Sequence, residues 1–437
     1  MSSVPAVVPS GFAHPTARKI AARLLPFLFL LYVVAFLDRV NVGFAALEMT
    51  GDLHFSDRVF GLGAGIFFIG YVIFEIPGAL LVERWSARKW IARILVTWGL
   101  VTVAFALVKT PHQFYGARFL LGAAEAGFFP GILVYLTHWF RSEDRAKAAA
   151  FFMAAIPVSN VIGSPLAGWI LGVKWLGLAG WRWLFVLEGI PAILLGVVTL
   201  LFLTDWPRDA RWLAAEEKQW ISGALEREQQ AKAMHAGEKI TILQALALPR
   251  VALLTVVYFL AIVGIYGFAV WFPTIVKRAT ALPNFVVTLL AALPYVAGFA
   301  AMLTNGWHSD RSRERRWHTA IPLFIGGCCL ALALAYRDHL PVAFAFMIVT
   351  GACTTAFMPS FWPLPTEFLS ESAAAAAIGL INSLGNLGGF LGPFAIGWLR
   401  TRTGSFAPGL LVLLACMLLA GGLVLLVPKA KRAAAVT

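Results

Sequence analysis

The sequence predicts an all-α integral membrane protein with twelve transmembrane helices in two pseudo-symmetric six-helix halves. Hydrophobic residues make up 60% of the 437 positions and charged residues 13%, whereas soluble domains carry roughly 25% charged residues. Apolar runs recur along the chain at about 20 residues or more, the length that one helix needs to cross a bilayer. These two observations exclude a soluble globular protein.

Six apolar runs precede and six follow one long polar stretch. The chain therefore divides into an N-terminal half (1–204), a cytoplasmic linker (205–247) and a C-terminal half (248–437). Helical spacing of apolar residues predicts that the linker is partly helical. We place the membrane helices at 20–46, 58–82, 90–109, 113–139, 147–172, 182–204, 251–276, 284–307, 317–336, 340–364, 372–399 and 406–428.

The distribution of basic residues predicts the orientation. The net charge of +13 comes from short basic clusters between apolar runs, a pattern that argues against nucleic-acid binding. With both termini inside the cell, the cytoplasmic segments hold 24 of the 35 Lys and Arg residues and the opposite side holds nine. Because positively charged loops stay in the cytoplasm, we expect cytoplasmic termini in a plasma membrane, or in the inner membrane of a bacterium.

No pattern indicates a metal site, a cofactor or a catalytic centre. The four cysteines lie within apolar runs and lack the spacing of metal ligands or of a disulfide. The sequence contains neither HExxH nor GxSxG, and no segment is long enough for a globular catalytic domain. A polytopic membrane enzyme is therefore the least favoured class.

Six ionisable residues of the first half fall inside predicted helices. A charged side chain at the bilayer centre costs about 2.5–3.5 kcal/mol on insertion scales, so such residues are functional candidates. The six are Asp38, Arg39, Glu75, Arg118, Glu125 and Glu188.

Asp38 and Arg39 lie deep in the first helix. Asp38 is fifteen residues beyond Arg23, which corresponds to roughly 22 Å of helix and lies past the midplane of a ~30 Å hydrocarbon core. Asn41 shares its helical face. The alternative is that Asp38 and Arg39 neutralise each other or cap a helix end.

The fourth helix carries Arg118, Gly122 and Glu125 at i, i+4 and i+7 on one face. A buried guanidinium suits a substrate carboxylate, whereas a carboxyl in a low dielectric suits proton binding. The alternative is a static ion pair between Arg118 and Glu125.

Two charged loops repeat between the halves. "ERWSARKW" begins at Glu83 and "DRSRERRW" begins at Asp310, and both read acid, Arg, three variable residues, two bases and Trp. Matching octets at equivalent places argue for internal duplication, which places a binding site at the interface of the halves. These loops resemble those of the major facilitator superfamily, and the resemblance implies a latch of the outward-open state formed by Glu83, Arg84, Asp310 and Arg311.

A narrower resemblance covers nearly the whole chain. "FLDRVNVGFA", "GYVIFEIPGALLVER", "ARFLLGAAEAGFFPG", "HWFRSEDRAKAAAFFMAAIPVSNVIGSPLAGWI" and "INSLGNLGGFLGP" are similar to segments of the anion:cation symporter family. The family includes tartrate, hexonate, phthalate and hydroxyphenylacetate permeases. The resemblance implies proton-titrating carboxylates at Asp38 and Glu125, substrate-facing arginines at Arg39 and Arg118, and a cavity position for Tyr71.

The second half supplies no intramembrane acid pair, so we expect it to contribute shape and hydrogen bonds. Asn382 and Asn386 share a face, and buried amides need partners. Asn386 is the favoured cavity donor, and the alternative is helix–helix hydrogen bonding. Tyr258, Tyr266 and Trp362 could flank a substrate. In the first half, we expect Glu75 to pack or gate and Glu188 to serve structure near helix-end polar groups.

The leading hypothesis is a monomeric transporter that couples proton entry to uptake of a small organic anion by alternating access. Its partners would be the anion, protons and the lipid bilayer, without cofactor or nucleic acid. The competing transport hypothesis is anion exchange without protons, which needs the arginines and can dispense with Asp38 and Glu125.

Overall fold

The computed structural model describes residues 12, 14–234, 244, 248–369 and 371–428. Within these ranges every regular element is a helix, and none is a strand. Ten helices of the described chain are long and apolar enough to cross a membrane.

Twelve spans, numbered in chain order, account for the predicted helices. They are span 1 (Pro15–Asp52), span 2 (Asp57–Arg84), span 3 (Ala87–Phe105), span 4 (Pro111–Glu125 and Phe128–Trp139), span 5 (Ser142–Met153 and Ala155–Leu171), span 6 (Gly180–Phe202), span 7 (Pro249–Thr280), span 8 (Asn284–Ser312), span 9 (Arg316–Ala335), span 10 (Leu340–Ala356 and Met358–Phe361), span 11 (Glu371–Gly385 and Gly388–Thr403) and span 12 (Ala407–Val424).

Spans 3 and 11 are absent from the ten long apolar helices. Span 3 begins among three basic residues, Arg88, Lys89 and Arg93, which lower its apolar character. Span 11 consists of two pieces of 15 and 16 residues, each too short alone. The all-helical, twelve-span fold predicted from the sequence is confirmed.

Spans 4, 5, 10 and 11 each consist of two pieces where the sequence predicts one continuous helix, and the cause is clearest in spans 4 and 5. Gly127 separates the two pieces of span 4 in a left-handed conformation with φ of 84°, which glycine adopts without the usual steric cost. Proline follows each break, at Pro130 and at Pro157. Because proline has no N–H, it cannot bond the carbonyl four residues earlier, and the helix is weakened there.

The two halves pack most extensively through three pairs of described spans: span 1 with span 7, span 2 with span 11, and span 5 with span 8. Spans 2 and 11 approach closely at Gly61 and Gly397. A Cβ on Gly61 would lie 2.5 Å from the Pro393 carbonyl oxygen, and one on Gly397 would lie 2.3 Å from the Asp57 carbonyl oxygen. Both distances are too short for any side chain, so this contact requires glycine.

Polar contacts join the halves at the same end of the molecule, where spans 1 and 7 end and spans 2 and 8 begin. The Arg278 guanidinium binds both carboxylate oxygens of Asp57 at 2.8 and 2.6 Å. The Asn284 side chain donates to Glu48 at 3.1 Å. We call this the closed end.

The linker helix, Ala215–Met234, packs at the opposite end. Lys19 at the start of span 1 binds Glu217 at 2.6 Å, and Arg145 at the start of span 5 binds Glu228 at 3.0 Å. The prediction of a partly helical linker is confirmed over this helix, while 235–243 and 245–247 lie outside the described residues.

Candidate functional site

A cavity lies between the halves and draws its walls from both. Its space for water-sized molecules is about 100 Å³, several times what one water needs. Five of the protein's eight tyrosines line it, together with three asparagines and two threonines. These polar lining residues are Tyr32, Tyr71, Tyr258, Tyr266, Tyr295, Asn160, Asn382, Asn386, Thr354 and Thr355.

Arg39 is the cation of the described cavity wall. Its guanidinium forms a hydrogen-bonded ion pair with the Glu125 carboxylate of span 4. The Arg39 side chain is 12% exposed and that of Glu125 is 2% exposed, so the arginine faces the cavity and the carboxylate lies behind it. The Arg39 Nε atom has no acceptor among the described residues. The exposed part of the Arg39 side chain can therefore meet an anion in the cavity while Nη2 holds Glu125.

Arg118 is buried behind the cavity rather than in its described lining. Its guanidinium donates to the carbonyl oxygens of Gly63 and Ala64 at 3.4 and 3.1 Å, and its Cζ atom lies 4.8 Å from the centroid of the Phe67 ring. Of the two arginines predicted to meet the substrate, Arg39 lies in the described cavity lining and Arg118 does not, and the substrate contact of each stays a prediction. The predicted alternative is a static ion pair between Arg118 and Glu125. In the described structure Glu125 pairs with Arg39 instead.

Asp38 lies in a separate buried pocket between spans 1 and 3. One carboxylate oxygen accepts a hydrogen bond from the Asn41 amide at 2.7 Å. The other accepts from the Thr102 hydroxyl at 2.5 Å and from the Trp98 indole N–H. Asp38 is 1% exposed and does not pair with Arg39, unlike the sequence-based alternative of mutual neutralisation.

The predicted cavity residues of spans 2 and 11 lie together. Tyr71, Asn382 and Asn386 all line the cavity, as do Tyr258, Tyr266 and Trp362. The Asn382 amide donates to the Glu75 carboxylate at 2.7 Å, and this bond crosses from one half to the other. Asn382 thus makes a helix–helix hydrogen bond at the cavity wall, and the substrate-binding roles of Asn382 and Asn386 stay predictions.

The four predicted latch residues are not brought together among the described side chains. Asp310 pairs with Arg315 at 2.6 Å within its own loop, and Arg311 lies over the Trp307 ring. The side chains of Glu83 and Arg84 lie outside the described residues. The latch role stays a prediction.

Two features of the site escaped sequence reasoning. Asn160 of span 5 lines the cavity, and its Oδ1 atom has no donor among the described residues. The sequence signal for Asn160 was an amide within an apolar run, and amides in such runs also serve to pack helices together. Glu188, predicted to lie near helix-end polar groups, instead lies beside Asn41 and within electrostatic reach of Asp38.

Twelve spans in two halves around a central cavity, with an ion pair in its wall, define a membrane transport protein. A family model described as the Major Facilitator Superfamily matches residues 28–393. The chain belongs to the major facilitator superfamily.

Individual relatives agree on the family and differ in the named cargo. A "putative tartrate transporter" of Agrobacterium vitis is 48% identical over 90% of each chain. A "quinolone resistance transporter" of Acinetobacter baumannii is 41% identical over 93% of each chain. Among solved structures, a D-xylose–proton symporter superposes with a TM-score of 0.73 over 94% of this chain and 98% of that one, at 16% identity. The similarity thus establishes the family and the fold, and leaves the substrate open.

Proposed function

We propose that this protein is a proton-coupled symporter that takes up a small organic anion by alternating access. The substrate would be a hydroxycarboxylate, a sugar acid or an aromatic carboxylate. The observation that carries the proposal is the Arg39–Glu125 ion pair, in which Arg39 borders the cavity and Glu125 lies behind it. The name of the tartrate relative supports the same class of cargo.

Coupling follows from competition between two carboxylates for one arginine. While Glu125 is ionised it holds part of the Arg39 guanidinium, and a proton on Glu125 removes that attraction. The released donors then bind the substrate carboxylate more strongly, so proton and anion each favour binding of the other. Glu125 and Asp38 are the proposed proton-binding groups, and Arg118 orients span 4 against span 2 through the carbonyls it binds.

The remaining polar wall would recognise the rest of the anion. Asn382, Asn386, Asn160 and Tyr71 place amide and hydroxyl groups along the cavity wall. Such acceptors suit hydroxyl groups of the substrate. A hydroxylated organic acid therefore fits the wall better than an apolar one.

We further propose that both termini are cytoplasmic, as the basic residues indicate. The closed end then faces outward, and the cavity belongs to an inward-facing state. The N-terminal half (1–204) and the C-terminal half (248–437) would move as two bodies joined by the linker. Labelling single cysteines with an impermeant reagent on intact cells tests the orientation, and reaction of a linker cysteine from outside would refute it.

The coupling test compares two assays on Glu125→Gln in proteoliposomes. The amide resembles the protonated acid permanently, so the loaded carrier can still reorient and substrate-for-substrate counterflow should survive. Accumulation driven by a pH gradient should fail, since the variant cannot release a proton. Glu226→Gln, a change at an exposed acid of the linker helix, is the matched control and should retain both activities.

The outcomes separate the candidate mechanisms. Counterflow without pH-driven accumulation supports symport through Glu125. Retention of both activities would remove Glu125 from coupling. A wild-type protein that performs counterflow but accumulates no substrate under a pH gradient would favour proton-independent exchange. A thermal-shift screen with tartrate, hexonates, hexuronates, phthalate and hydroxyphenylacetate identifies the substrate class, because a bound ligand raises stability.

A further inference from the structure

Thr102 of span 3 turns its hydroxyl away from the partner that threonine commonly uses in a helix. Threonine hydroxyls within helices often donate to the backbone carbonyl four residues earlier, and Thr97 of the same span donates in this way to Arg93 at 2.8 Å. The Thr102 hydroxyl instead donates to Asp38 Oδ2 of span 1 at 2.5 Å. Thr102 is fully buried, so bulk solvent does not compete for this bond.

Asp38 receives three hydrogen bonds from described side chains. Asn41 donates to Oδ1 at 2.7 Å. Trp98 and Thr102 lie one helical turn apart on span 3, and both donate to Oδ2. An ionised carboxylate only accepts hydrogen bonds, so this arrangement satisfies the ionised form of Asp38.

A proton on Asp38 requires one of these three neighbours to become an acceptor. The Trp98 indole N–H only donates, and Asn41 can accept only after its amide turns over. A hydroxyl carries one O–H and two lone pairs, so Thr102 can accept from a protonated Oδ2 once its own O–H rotates away. The backbone carbonyl of Trp98, one turn back in the same helix, is the partner for the rotated O–H, as the Arg93 carbonyl is for Thr97.

We propose that Thr102 reverses the direction of its hydrogen bond with Asp38 in each transport cycle, donating to the ionised carboxylate and accepting from the protonated one. The inference rests on the proposed function, in which Asp38 binds a coupling proton. Thr102 is a positioning residue, because it acts through Asp38. A buried polar group without a partner is costly, and this reversal gives both forms of Asp38 a partner by rotation of one hydroxyl.

The charged surroundings of Asp38 stay in place when Thr102 is changed. Span 3 has no ionisable residue between Arg93 and Lys109, and span 5 has none between Lys147 and Lys174. The groups that act electrostatically on Asp38 from spans 4 and 6 are Arg118, Glu125 and Glu188. Other titratable groups within the membrane on span 1 and on spans 2 and 7, which pack against it, are Tyr32, Arg39, Tyr71, Glu75, Tyr258 and Tyr266. Comparison of variants at position 102 therefore isolates the hydroxyl.

The reversal predicts a loss of stability on both sides of the Asp38 titration. The wild-type minus Asp38→Asn infrared spectrum of purified protein gives the midpoint, because the C=O stretch of a protonated carboxyl grows as the pH falls. Thr102→Val keeps the volume and removes the hydroxyl, so its melting temperature should lie about 1–3 °C below that of wild type both above and below this midpoint. Thr102→Ser keeps a hydroxyl and should melt close to wild type. Thr97→Val, which removes a hydroxyl bonded within its own helix, is the matched control and should also stay close to wild type.

Transport supplies a second readout. Trp98→Phe removes a donor that supports the ionised form above all, so the pH of half-maximal uptake should rise by roughly half a unit or more. Thr102→Val removes the partner of both forms, so its pH profile should shift less than that of Trp98→Phe. Thr102→Ser should restore the wild-type profile.

The outcomes decide the proposal. A stability loss confined to the alkaline side of the midpoint, or a Thr102→Val profile shifted as far as that of Trp98→Phe, would show that Thr102 only donates and would overturn it. An Asp38 that does not titrate, or a Thr102→Val that melts like Thr97→Val, would overturn it as well. If Thr102→Val does not fold, Thr102→Ala takes its place with the same expectations. If the wild-type protein shows no proton-driven uptake, the proposed function fails, and the infrared and melting measurements still decide whether the bond reverses.

Discussion

Arg39 and Arg118 differ in position, and that difference leads to a prediction at the residue scale. Arg39→Lys should weaken substrate binding about tenfold to a hundredfold, because a compact ammonium cannot bind Glu125 and a substrate carboxylate as a planar guanidinium can, and a hydrogen bond to a charged group is worth about 1.5–3 kcal/mol. Arg118→Lys should mainly lower thermal stability, since its partners are the carbonyls of Gly63 and Ala64. Counterflow KM and melting temperature, measured on both variants, check the assignment. A larger KM increase in Arg118→Lys than in Arg39→Lys would show that Arg118 of span 4 contacts the substrate.

Asp38→Asn should abolish pH-driven accumulation while the protein remains inserted. The amide cannot cycle a proton, and its NH₂ group would face donors, namely Trp98, Thr102 or Asn41, where the carboxylate accepts. We expect a stability loss of about 1–3 kcal/mol from this mismatch. Uptake and thermal unfolding of the same preparation test both effects. Undiminished accumulation would assign Asp38 a structural role alone.

Helical spacing predicted which residues of the site share a helix, but not which residues meet across helices. Arg118 and Glu125 lie on one face of span 4, as i and i+7 require, yet that separation is roughly 10 Å along the axis. Arg39 reaches Glu125 from span 1 instead. Rotamers and helix tilts decide such contacts, and spacing within one helix carries no information about them.

At the scale of single elements, Glu314 caps the start of span 9. Its carboxylate accepts from the backbone N–H groups of Trp317 and His318 at 2.9 and 3.3 Å. Partial burial would raise the pKa of Glu314, but these hydrogen bonds and that of the His318 ring outweigh it, and the pKa lies below its ordinary value. The cap therefore stabilises the protein at neutral pH.

The expected pH dependence follows from the sign of that shift. Since the pKa is lower in the folded than in the unfolded state, the stabilisation is present above the ordinary glutamate pKa of about 4.3 and is lost as the pH falls through the folded-state value. Glu314→Ala should cost about 1 kcal/mol near pH 7, as loss of a helix cap does. Melting curves of wild type and variant from pH 7 to about pH 2 should converge at the acid end, below both pKa values. A difference that persists in acid would show that the ionised cap is not its cause.

Element boundaries were predictable where apolar runs ended in charged loops. The breaks in spans 4 and 5 were not, because a glycine or proline in an apolar run is also compatible with a continuous membrane helix. Gly127 reveals its role only through its left-handed backbone. Spans 4 and 5 therefore appeared as single helices in the sequence.

At the scale of the whole molecule, the closed end should control which face of the cavity opens. Asp57→Arg or Arg278→Asp alone replaces attraction between the halves by repulsion, and each should disfavour this state by about 0.5–1 kcal/mol, the range of a partly exposed pair. The double exchange should restore the pairing. Accessibility of a cavity cysteine to an impermeant external reagent reports the opening. Equal accessibility in the double and single variants would show that the pair does not hold this end.

The number of proton-binding carboxyls sets which gradient can drive the carrier. If Glu125 and Asp38 each carry one proton per cycle, a doubly charged anion crosses the membrane with no net charge. Such transport is electroneutral, although membrane voltage is worth about 2.3 kcal/mol per elementary charge at 100 mV. Accumulation of a dianion would then follow the pH gradient alone, at about a hundredfold per pH unit for two protons. For a dianion, a cell with a large voltage and no pH difference would gain nothing from this protein.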